Sequence, residues 1–545
     1  MSPGPRSLTI WLVLSAALLA AGCDRPPAPA ADPASSAPSQ ATTIERVLRR
    51  GNGGDPGSLD PQLSIDHYAH QIQRDLYEGL VSEAPDGSLV PGVASRWSVS
   101  ADGLVYRFNL RPEARWSDGS PVLAEHFVDA LRHAATPATG APAADLLRAI
   151  VNATRILAGE LPPAALGVRA ISPLELEITL QSPTAYFLSQ VTHPVFYPRH
   201  PAAPGVLQPA PTYAVSNGPF QFKDWVPNSQ IELVRNPHYW DRASVHLDRV
   251  VFYPIASEAT EYLRYRGGDL DITASLPSSR IAEIRRDRPG ELHMAPFLGS
   301  YFLGFNLARP PFADNPDLRR ALSLAIDREA VNDRVLFGTQ RPAWGLVPPG
   351  TPQYSPQRDP AATQTQAERM ALARTLFARA TAGHTQPIKV RVIYGNSDLV
   401  RNALIAIASM WTQAFGIEVD VYTEEFRVFL ETQKDPDQWQ IVRMAWVADY
   451  NDPLTFLETF RSDNAGNVYG YRRSRFDALL DSSQHTVEPL ARLALLEQAE
   501  RMLLDDVAFI PLFHMQSRRL VSPRVNGFQV TPLNRIYSRH LSLDD

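Results

Sequence analysis

Helices and strands alternate along residues 315–453, and no other feature of the sequence constrains the fold as strongly. "NPDLRRALSLAIDREAV" predicts a helix with Asn315 as its N-cap and Pro316 as its first residue, and "AERMALARTLFARATAG" predicts a second helix that stops at Gly383. The strand "IKVRVIYG", the helix "NALIAIASMWTQAF" and the strand "IEVDVYTEE" follow in that order. This order is typical of a mixed α/β architecture. A chain of 545 residues also exceeds what one hydrophobic core usually supports, so we expect two or three domains or lobes.

Strict alternation of apolar and polar residues predicts further strands earlier in the chain. The segments "LVYRFNLR" and "LELEITLQ" both show this pattern. In the second segment, Glu175 and Glu177 share one face with Thr179. We expect that face to be solvated.

The stretch "WQIVRMAWVADYNDP", residues 439–453, resembles a buried strand but contains two opposite charges. Because side chains of a strand alternate between its faces, one face is expected to be core and the other to hold both charges. The core face would carry Val442, Met444, Trp446 and Ala448, and the other Ile441, Arg443, Ala445, Val447 and Asp449. Two interpretations remain open: separate structural salt bridges with residues elsewhere, or two poles for a zwitterionic ligand that lies along the strand.

The sequence lacks the known patterns of catalytic and metal-binding residues. Its thirteen histidines form no H-E-x-x-H spacing, and no G-x-S-x-G elbow, phosphate-binding loop or G-x-G-x-x-G fingerprint occurs. The net charge of -6 argues against nucleic acid as a partner. We therefore expect a binding protein without enzymatic activity, metal or cofactor.

The N-terminus has the layout of an export signal. One early charge at Arg6 precedes a short apolar region, and small residues lead to Cys23, which is the only cysteine in the chain. "LLAAGC" resembles a bacterial lipobox, so residues 1–22 are expected to be a signal peptide and Cys23 to be lipidated. Residues 23–43 are rich in proline, alanine and serine and are expected to form a disordered tether. Asp24 resembles the signal that retains lipoproteins at the inner membrane, and an ordinary cleaved signal is the alternative.

Several long segments, in chain order, carry a resemblance to a known family. They are "LYEGLVSEAPDGSLVPGVASRWSVSADGLVYRFNLRPEARWSDGSPVLAEHFV", "SNGPFQFKDWVPNSQIELVRNPHYWD", "FYPIASEATEYLRYRGGDLDI", "PPFADNPDLRRALSLAIDREAV" and "YGNSDLVRNALIAIASMWTQAFGIEVDVYTEEFRVFL". With residues 439–453, they resemble the family 5 solute-binding proteins of ABC importers, which include oligopeptide and dipeptide binders. The similarity covers essentially the whole mature chain.

The resemblance implies an α/β fold of the bilobal periplasmic-binding-protein type (type II, cluster C-like) with an additional inserted domain. Extended peptides would be held between two hinged lobes through their main chain and delivered to the permease subunits of the importer. The implied protein is a monomer in the periplasm, attached to the inner membrane by its lipid. The expected divisions are lobe I (residues 44–80, 196–298 and 515–545), inserted domain II (81–195) and lobe III (299–514).

The resemblance also implies roles for individual residues. Asp449 matches the aspartate that pairs with the peptide α-amino group, and Arg443 matches an arginine that can meet a peptide carboxylate. Ala445 and Val447 lie where the family uses backbone groups to pair with the peptide. The remaining pocket candidates are Trp446, Phe426 and Val400.

Some positions depart from the oligopeptide-binding pattern. A disulfide found in those members would join the positions of Gly299 and Val447 here, and partners of the peptide carboxylate are replaced, a histidine by Val400 among them. The resemblance thus implies that amine recognition is retained while carboxylate recognition is reduced. A murein-peptide or dipeptide binder of the same fold is the alternative function, and a periplasmic enzyme or chaperone that reuses the fold is a more distant one.

Overall fold

The computed structural model describes residues 45–64, 66–203, 215–383, 388–464 and 466–544. The expected signal peptide, Cys23 and the tether up to residue 43 lie outside the described residues, so those expectations stay predictions. Residues Glu45–Asp545 belong to one compact unit.

The strands and helices interleave along the whole described chain, which confirms the predicted mixed α/β architecture. The strands are β1 (Val47–Gly51), β2 (Val81–Glu83), β3 (Leu89–Pro91), β4 (Ala94–Val99), β5 (Val105–Leu110), β6 (Val168–Ser172), β7 (Glu175–Thr179), β8 (Phe220–Val226), β9 (Gln230–Arg235), β10 (Arg249–Tyr253), β11 (Leu292–Phe305), β12 (Arg341–Pro342), β13 (Lys389–Gly395), β14 (Glu418–Glu424), β15 (Ile441–Val447), β16 (Phe509–Leu520), β17 (Val525–Asn526) and β18 (Ser542–Leu543).

The α-helices connect these strands. They are α1 (His67–Leu76), α2 (Ala124–Ala135), α3 (Ala153–Leu157), α4 (Phe187–Gln190), α5 (Glu258–Arg266), α6 (Ile281–Asp287), α7 (Pro316–Leu324), α8 (Arg328–Arg334), α9 (Gln366–Ala380), α10 (Asp398–Phe415), α11 (Phe426–Thr432), α12 (Leu454–Leu457), α13 (Ser474–His485) and α14 (Pro489–Asp505). Short 3-10 helices occupy Pro137–Thr139, Ala144–Leu147, Pro163–Ala165, Pro194–Phe196, Arg242–Ser244, Ser278–Arg280, Pro360–Thr363, Glu458–Phe460 and Ser538–His540.

Local chemistry fixes the helix ends that the sequence predicts. The Asn315 side chain accepts a hydrogen bond from the Leu318 N–H, and Pro316 is the first residue of α7, as expected of an N-cap followed by proline. The prediction that the next long helix stops at Gly383 is wrong, because α9 ends at Ala380. Its backbone leaves helical geometry at Thr381, and Gly383 makes the turn that follows with φ +89°.

A six-stranded sheet organises the second half of the chain, with strand order β12-β16-β11-β15-β13-β14. The long strand β11 pairs antiparallel with β16 on one edge and with β15 on the other. Beyond β15, the strands β13 and β14 are parallel to it and to each other. Hydrophobic clusters cover both faces, one containing Ile441 and the other Val442, so the sheet is a central layer between helices.

Two four-stranded sheets account for most of the first half. One has the order β1-β10-β9-β8, with β1 parallel to β10, and the other is antiparallel with the order β4-β5-β7-β6. The division into lobes I and III and an inserted domain II stays a prediction. Within the described residues, no helix is long and apolar enough to cross a membrane, and no group of three metal-ligating side chains could hold a metal ion.

The solvated acidic face expected of "LELEITLQ" is wrong for Glu177. Strand β7 lies inside its sheet, and Glu177 is only 4% exposed. Its carboxylate accepts hydrogen bonds from Arg107 on β5 and Arg169 on β6, at 2.9 and 2.7 Å. Arginines on both neighbouring strands therefore compensate the charge that alternation alone assigned to solvent.

A buried carboxylate holds a long loop against α14. Glu500 is fully buried, and its two oxygens accept hydrogen bonds from the backbone N–H groups of Leu346, Val347 and Gln357 at 2.8–2.9 Å. The Tyr354 hydroxyl donates a fourth hydrogen bond at 2.6 Å. Both oxygens of Glu500 must therefore act as acceptors. No neutral side chain of this size has two acceptor oxygens at these positions.

We expect Glu500→Gln to lower the stability against urea by about 2 kcal/mol, because the amide NH₂ would face buried donors and leave them unpaired. Urea unfolding followed by circular dichroism measures the effect. Glu497→Gln makes the same change one turn earlier on α14, where the carboxylate serves one exposed donor, and should cost less than about 0.5 kcal/mol. Equal unfolding midpoints for the two variants would contradict this assignment.

Candidate functional site

Strand β15 offers an open backbone edge. All of its residues pair with β11, whereas β13 pairs only with Ile441 and Val442. Beyond Val442, the second edge of β15 therefore has no partner strand among the described residues. The Ala448 N–H donates to the Leu298 carbonyl, towards β11, so by alternation the backbone groups of Ala445 and Val447 point towards the open edge.

The two faces of β15 divide as the sequence predicts. Val442 and Ala448 are buried in the core beneath the sheet, and Met444 and Trp446 pack against the same cluster. The Trp446 indole donates to the Thr455 hydroxyl at 3.2 Å, which fixes the ring on the core side. On the other face, Ala445, Val447 and Asp449 are exposed. Trp446 therefore has a structural role in this conformation.

The Asp449 carboxylate has no partner among the described residues. It lies just beyond the end of β15, and no described cation lies within 4.0 Å of it and no described donor hydrogen-bonds to it. The surrounding protein raises its pKa to about 6, and nearby Arg535 opposes this rise. Asp449 still reaches solvent, so it is a partly desolvated anion with its oxygens free.

The backbone around Asp449 is held firmly on several sides. Arg535 donates to the Asp449 carbonyl at 3.2 Å, and the Asn451 N–H donates to the Ser189 hydroxyl at 3.0 Å. Tyr450 stacks on Tyr186 with ring centroids 4.4 Å apart. The backbone that carries the free carboxylate is therefore fixed by contacts that do not use the carboxylate oxygens.

A buried ion pair completes this anchoring one residue further on. Asp452 accepts two hydrogen bonds from Arg492 of α14, at 2.7 and 2.9 Å, and both side chains are less than a tenth exposed. The paired geometry of a guanidinium and a carboxylate gives a specific orientation as well as attraction. Residues 449–452 are thus tied to the core of the molecule.

Arg443 is the second charge on the site face. Its guanidinium lies over the ring of Tyr301 on β11, 4.5 Å from the ring centroid, and burial lowers its pKa while Tyr301 opposes the effect. The described chain provides it with no ion pair. The interpretation of Arg443 and Asp449 as members of separate structural salt bridges is therefore wrong, and both charges remain available on one face.

The other candidate positions lie around this face with different roles. Val400 is in the first turn of α10, half-buried against the core, and Phe426 begins α11 with a side chain that lies outside the described residues. Gly299 and Val447, the positions of the expected family disulfide, are direct partners across β11 and β15. A Cβ atom at Gly299 would lie 2.6 Å from the Met515 sulfur, so methionine packing occupies this place.

Sequence analysis missed the residues that hold Asp449 in place. Arg535, Ser189 and Tyr186 lie far from Asp449 along the chain and form no motif with it. A lone arginine near the C-terminus has the appearance of an ordinary surface charge. Only the folded chain brings these side chains to the backbone and the neighbouring residues of Asp449.

The family model described as "Bacterial extracellular solute-binding proteins, family 5 Middle" matches residues 88–467. The chain is 35% identical over 516 residues to the periplasmic oligopeptide-binding protein OppA of Escherichia coli, covering 93% of this chain and 94% of that one. It is also 35% identical over 503 residues to the probable deoxycholate-binding periplasmic protein YgiS of Escherichia coli, covering 91% and 93%.

The same similarity holds in three dimensions. The solved structure of the Escherichia coli murein tripeptide binding protein MppA matches with a TM-score of 0.77 at 32% identity, covering 92% of this chain and 99% of that one. The names of these relatives specify different ligands, so the similarity alone does not select the ligand.

We expect Asp449→Asn to stabilise the ligand-free protein at pH 7.5 by about 1 kcal/mol, after allowance for the solvent that reaches the carboxylate. The folded pKa, about 6, lies above the ordinary value of 3.8, so ionisation disfavours the folded state. This penalty is absent below about pH 4 and complete above about pH 7.

Thermal unfolding at pH 4 and pH 7.5 measures the effect. Asp224→Asn, at an exposed position on β8, is the matched control and should show no pH-dependent gain. Identical melting temperatures for wild type and Asp449→Asn at pH 7.5 would show that ionised Asp449 does not destabilise the folded protein.

Proposed function

Because the chain belongs to the bacterial extracellular solute-binding proteins of family 5, we propose that it captures peptides outside the cytoplasm for an ABC importer. In this proposal, extended oligopeptides bind along the open edge of β15, with their α-amino group at Asp449. The single observation that carries the proposal is the Asp449 carboxylate, which extends from a firmly held backbone and has no partner among the residues that the structure describes.

Membership of this family confirms two predictions. The fold is the bilobal type II periplasmic-binding-protein fold, in agreement with the MppA structure. The protein is a binding protein and not an enzyme.

A free, partly desolvated carboxylate favours a cationic ligand group. An ammonium group entering this site would gain an ion pair and hydrogen bonds in place of lost solvent. Deoxycholate, the ligand named for one relative, is itself a carboxylate, and Asp449 would repel it. The chemistry of the site therefore supports peptides with a free amine over bile acids.

The open edge of β15 favours a ligand with an extended backbone. Arg443, Ala445 and Val447 alternate with residues whose backbone groups point towards β11, so their own N–H and C=O groups point towards the open edge. A peptide added there as a strand would form main-chain hydrogen bonds without reading side chains. Exposed Ala445 and Val447 are small enough to let its backbone approach. Arg443 is the proposed partner for a peptide carboxylate.

We expect Asp449→Asn to weaken binding of a free-amine tripeptide by about 2–5 kcal/mol, because the buried ammonium group would lose its counter-charge. Calorimetry with the same tripeptide, free and N-acetylated, measures the difference. The acetylated peptide should bind wild type weakly and lose little further in the variant. Equal losses for both peptides would contradict amine recognition by Asp449.

A murein tripeptide serves as a third ligand in the same experiment. Its branched carboxylates would test whether the site distinguishes cell-wall peptides from ordinary ones. Trp446→Phe is the matched control, because it removes a core-side hydrogen bond and leaves the exposed face and the open edge of β15 unchanged. It should reduce stability more than affinity.

The proposed location is the periplasm, with attachment to the inner membrane through lipidated Cys23. Support comes from the lipobox-like sequence before Cys23, the polar tether after it, and the periplasmic relatives. The protein is proposed to act as a monomer whose lobes, divided as the sequence predicts, close on the peptide and then dock on the permease.

We expect full-length protein to fractionate with the inner membrane and Cys23→Ser to be released into the soluble periplasm. The cysteine sulfur is the only thiol available for lipid attachment, and loss of the lipid removes the anchor. Membrane fractionation and the intact mass of the purified protein measure both states. Ser35→Ala, within the tether, should remain with the membrane. A soluble wild-type protein with an unmodified mass would rule out lipidation.

A further inference from the structure

We propose that Arg535 is a positioning residue that keeps the Asp449 carboxylate ionised while leaving its oxygens free for the ammonium group of a ligand. The inference rests on the proposed function and adds a residue, far from β15 along the chain, on which selectivity for free amines depends.

Arg535 is buried and makes directed contacts to three parts of the chain. It is 5% exposed, and its Nη1 atom lies 2.9 Å from Glu83 Oε2 and 2.8 Å from Thr192 Oγ1. Its Nη2 atom donates to the Asp449 carbonyl oxygen at 3.2 Å. Because Glu83, Thr192 and Asp449 are themselves fixed, the guanidinium has one orientation.

The contact with Asp449 uses the backbone and spares the side chain. Arg535 pairs with Glu83, and the described residues contain no ion pair between Arg535 and the Asp449 carboxylate. The cation is thus near enough to favour the ionised carboxylate but does not occupy its oxygens. A direct salt bridge would instead compete with the ligand.

Glu83 limits how strongly the cation acts on the site. It is 1% exposed and also accepts a hydrogen bond from the Tyr537 hydroxyl at 2.7 Å. An unpaired buried arginine would repel the incoming ammonium group, whereas the Arg535–Glu83 pair carries no net charge. The pair therefore supplies a directed local field with no net charge of its own, and the buried Arg74 of α1 is a second cation that interacts with both of its members.

Within the described part of the chain, three titratable groups interact electrostatically with Asp449. Arg535 comes from the C-terminal segment, Glu458 from the short helix after α12, and Tyr450 is the next residue. Burial raises the pKa of Glu458 to about 7 and that of Tyr450 well above its ordinary value, so Tyr450 is neutral. Of the described groups, only Arg535 lowers the pKa of Asp449, which partial desolvation has raised to about 6.

The experiment measures tripeptide affinity by calorimetry between about pH 5 and pH 8. In wild type, affinity should fall as Asp449 becomes protonated near pH 6. Arg535→Gln should raise this midpoint by about one pH unit, because the nearby cation is lost. Glu83→Gln should lower the midpoint, because it keeps the cation and removes the anion that neutralises it. Arg535→Lys should stay near wild type.

The opposite shifts distinguish this role from a structural one. Loss of a merely structural contact would weaken binding equally at every pH, and an unshifted midpoint in folded Arg535→Gln would overturn the proposal. If Arg535→Gln does not fold, the double variant with Arg535→Gln and Glu83→Gln replaces it, because it removes both members of the buried pair. The direction in which Glu83→Gln alone shifts the pH midpoint of binding then decides whether the proposal holds. Glu458→Gln measures how much the Glu458 carboxylate contributes to the pH midpoint of binding.

Failure of the proposed function gives a different result. A wild-type protein that binds no free-amine tripeptide at any pH would refute peptide capture itself. A wild type that binds the tripeptide, together with variants whose midpoints do not move, would refute only the role of Arg535.

Discussion

The antiparallel pairing of β15 with β11 is the constraint on which the site depends. One edge of β15 is paired along the whole strand, and the described residues pair with the other edge only at Ile441 and Val442. The remaining backbone groups of that second edge lie beside the exposed face of the strand. The register of this pairing determines which side chains lie on each face, because a slip of one residue would exchange the two faces of the strand. Met444 and Trp446 would then leave the core, and Arg443 and Asp449 would enter it without partners. Packing of the core face therefore holds the charged face in place.

The backbone around Asp449 is held rigidly by contacts that do not involve its carboxylate. The stack of Tyr450 on Tyr186, the Asn451–Ser189 hydrogen bond and the Asp452–Arg492 pair all fix the backbone. A preorganised anion loses little conformational freedom when a ligand arrives, which improves affinity. The same anion destabilises the empty protein, because it is partly removed from water without compensation. Stability and binding thus oppose each other at this residue.

Sequence patterns predict the structural features that depend on residues close together along the chain. The N-cap at Asn315, the order of helices and strands, and the two faces of β15 all follow from local spacing, and the structure confirms them. Glu177 shows the limit, because alternation assigned it to solvent while arginines on both adjacent strands hold it. Arg535 and Glu83 are 452 positions apart, and no periodicity connects them. Which charges meet is decided by sheet order and chain packing, which local patterns do not encode.

Under the proposed function, the distance between the two charged residues bears on ligand length. Six residues of extended strand separate Arg443 from Asp449, or about 20 Å. The Arg443 guanidinium, however, lies over Tyr301, which is paired with Ala445, so the positive charge is displaced towards Asp449 by about two residues. The remaining span of about 13 Å corresponds to about four residues of extended peptide. Shorter peptides would reach only Asp449, and longer ones would pass the half-buried Arg443 without pairing their carboxylate. The amine end is therefore the fixed point of recognition, and the field that Arg535 imposes on Asp449 acts on peptides of every length.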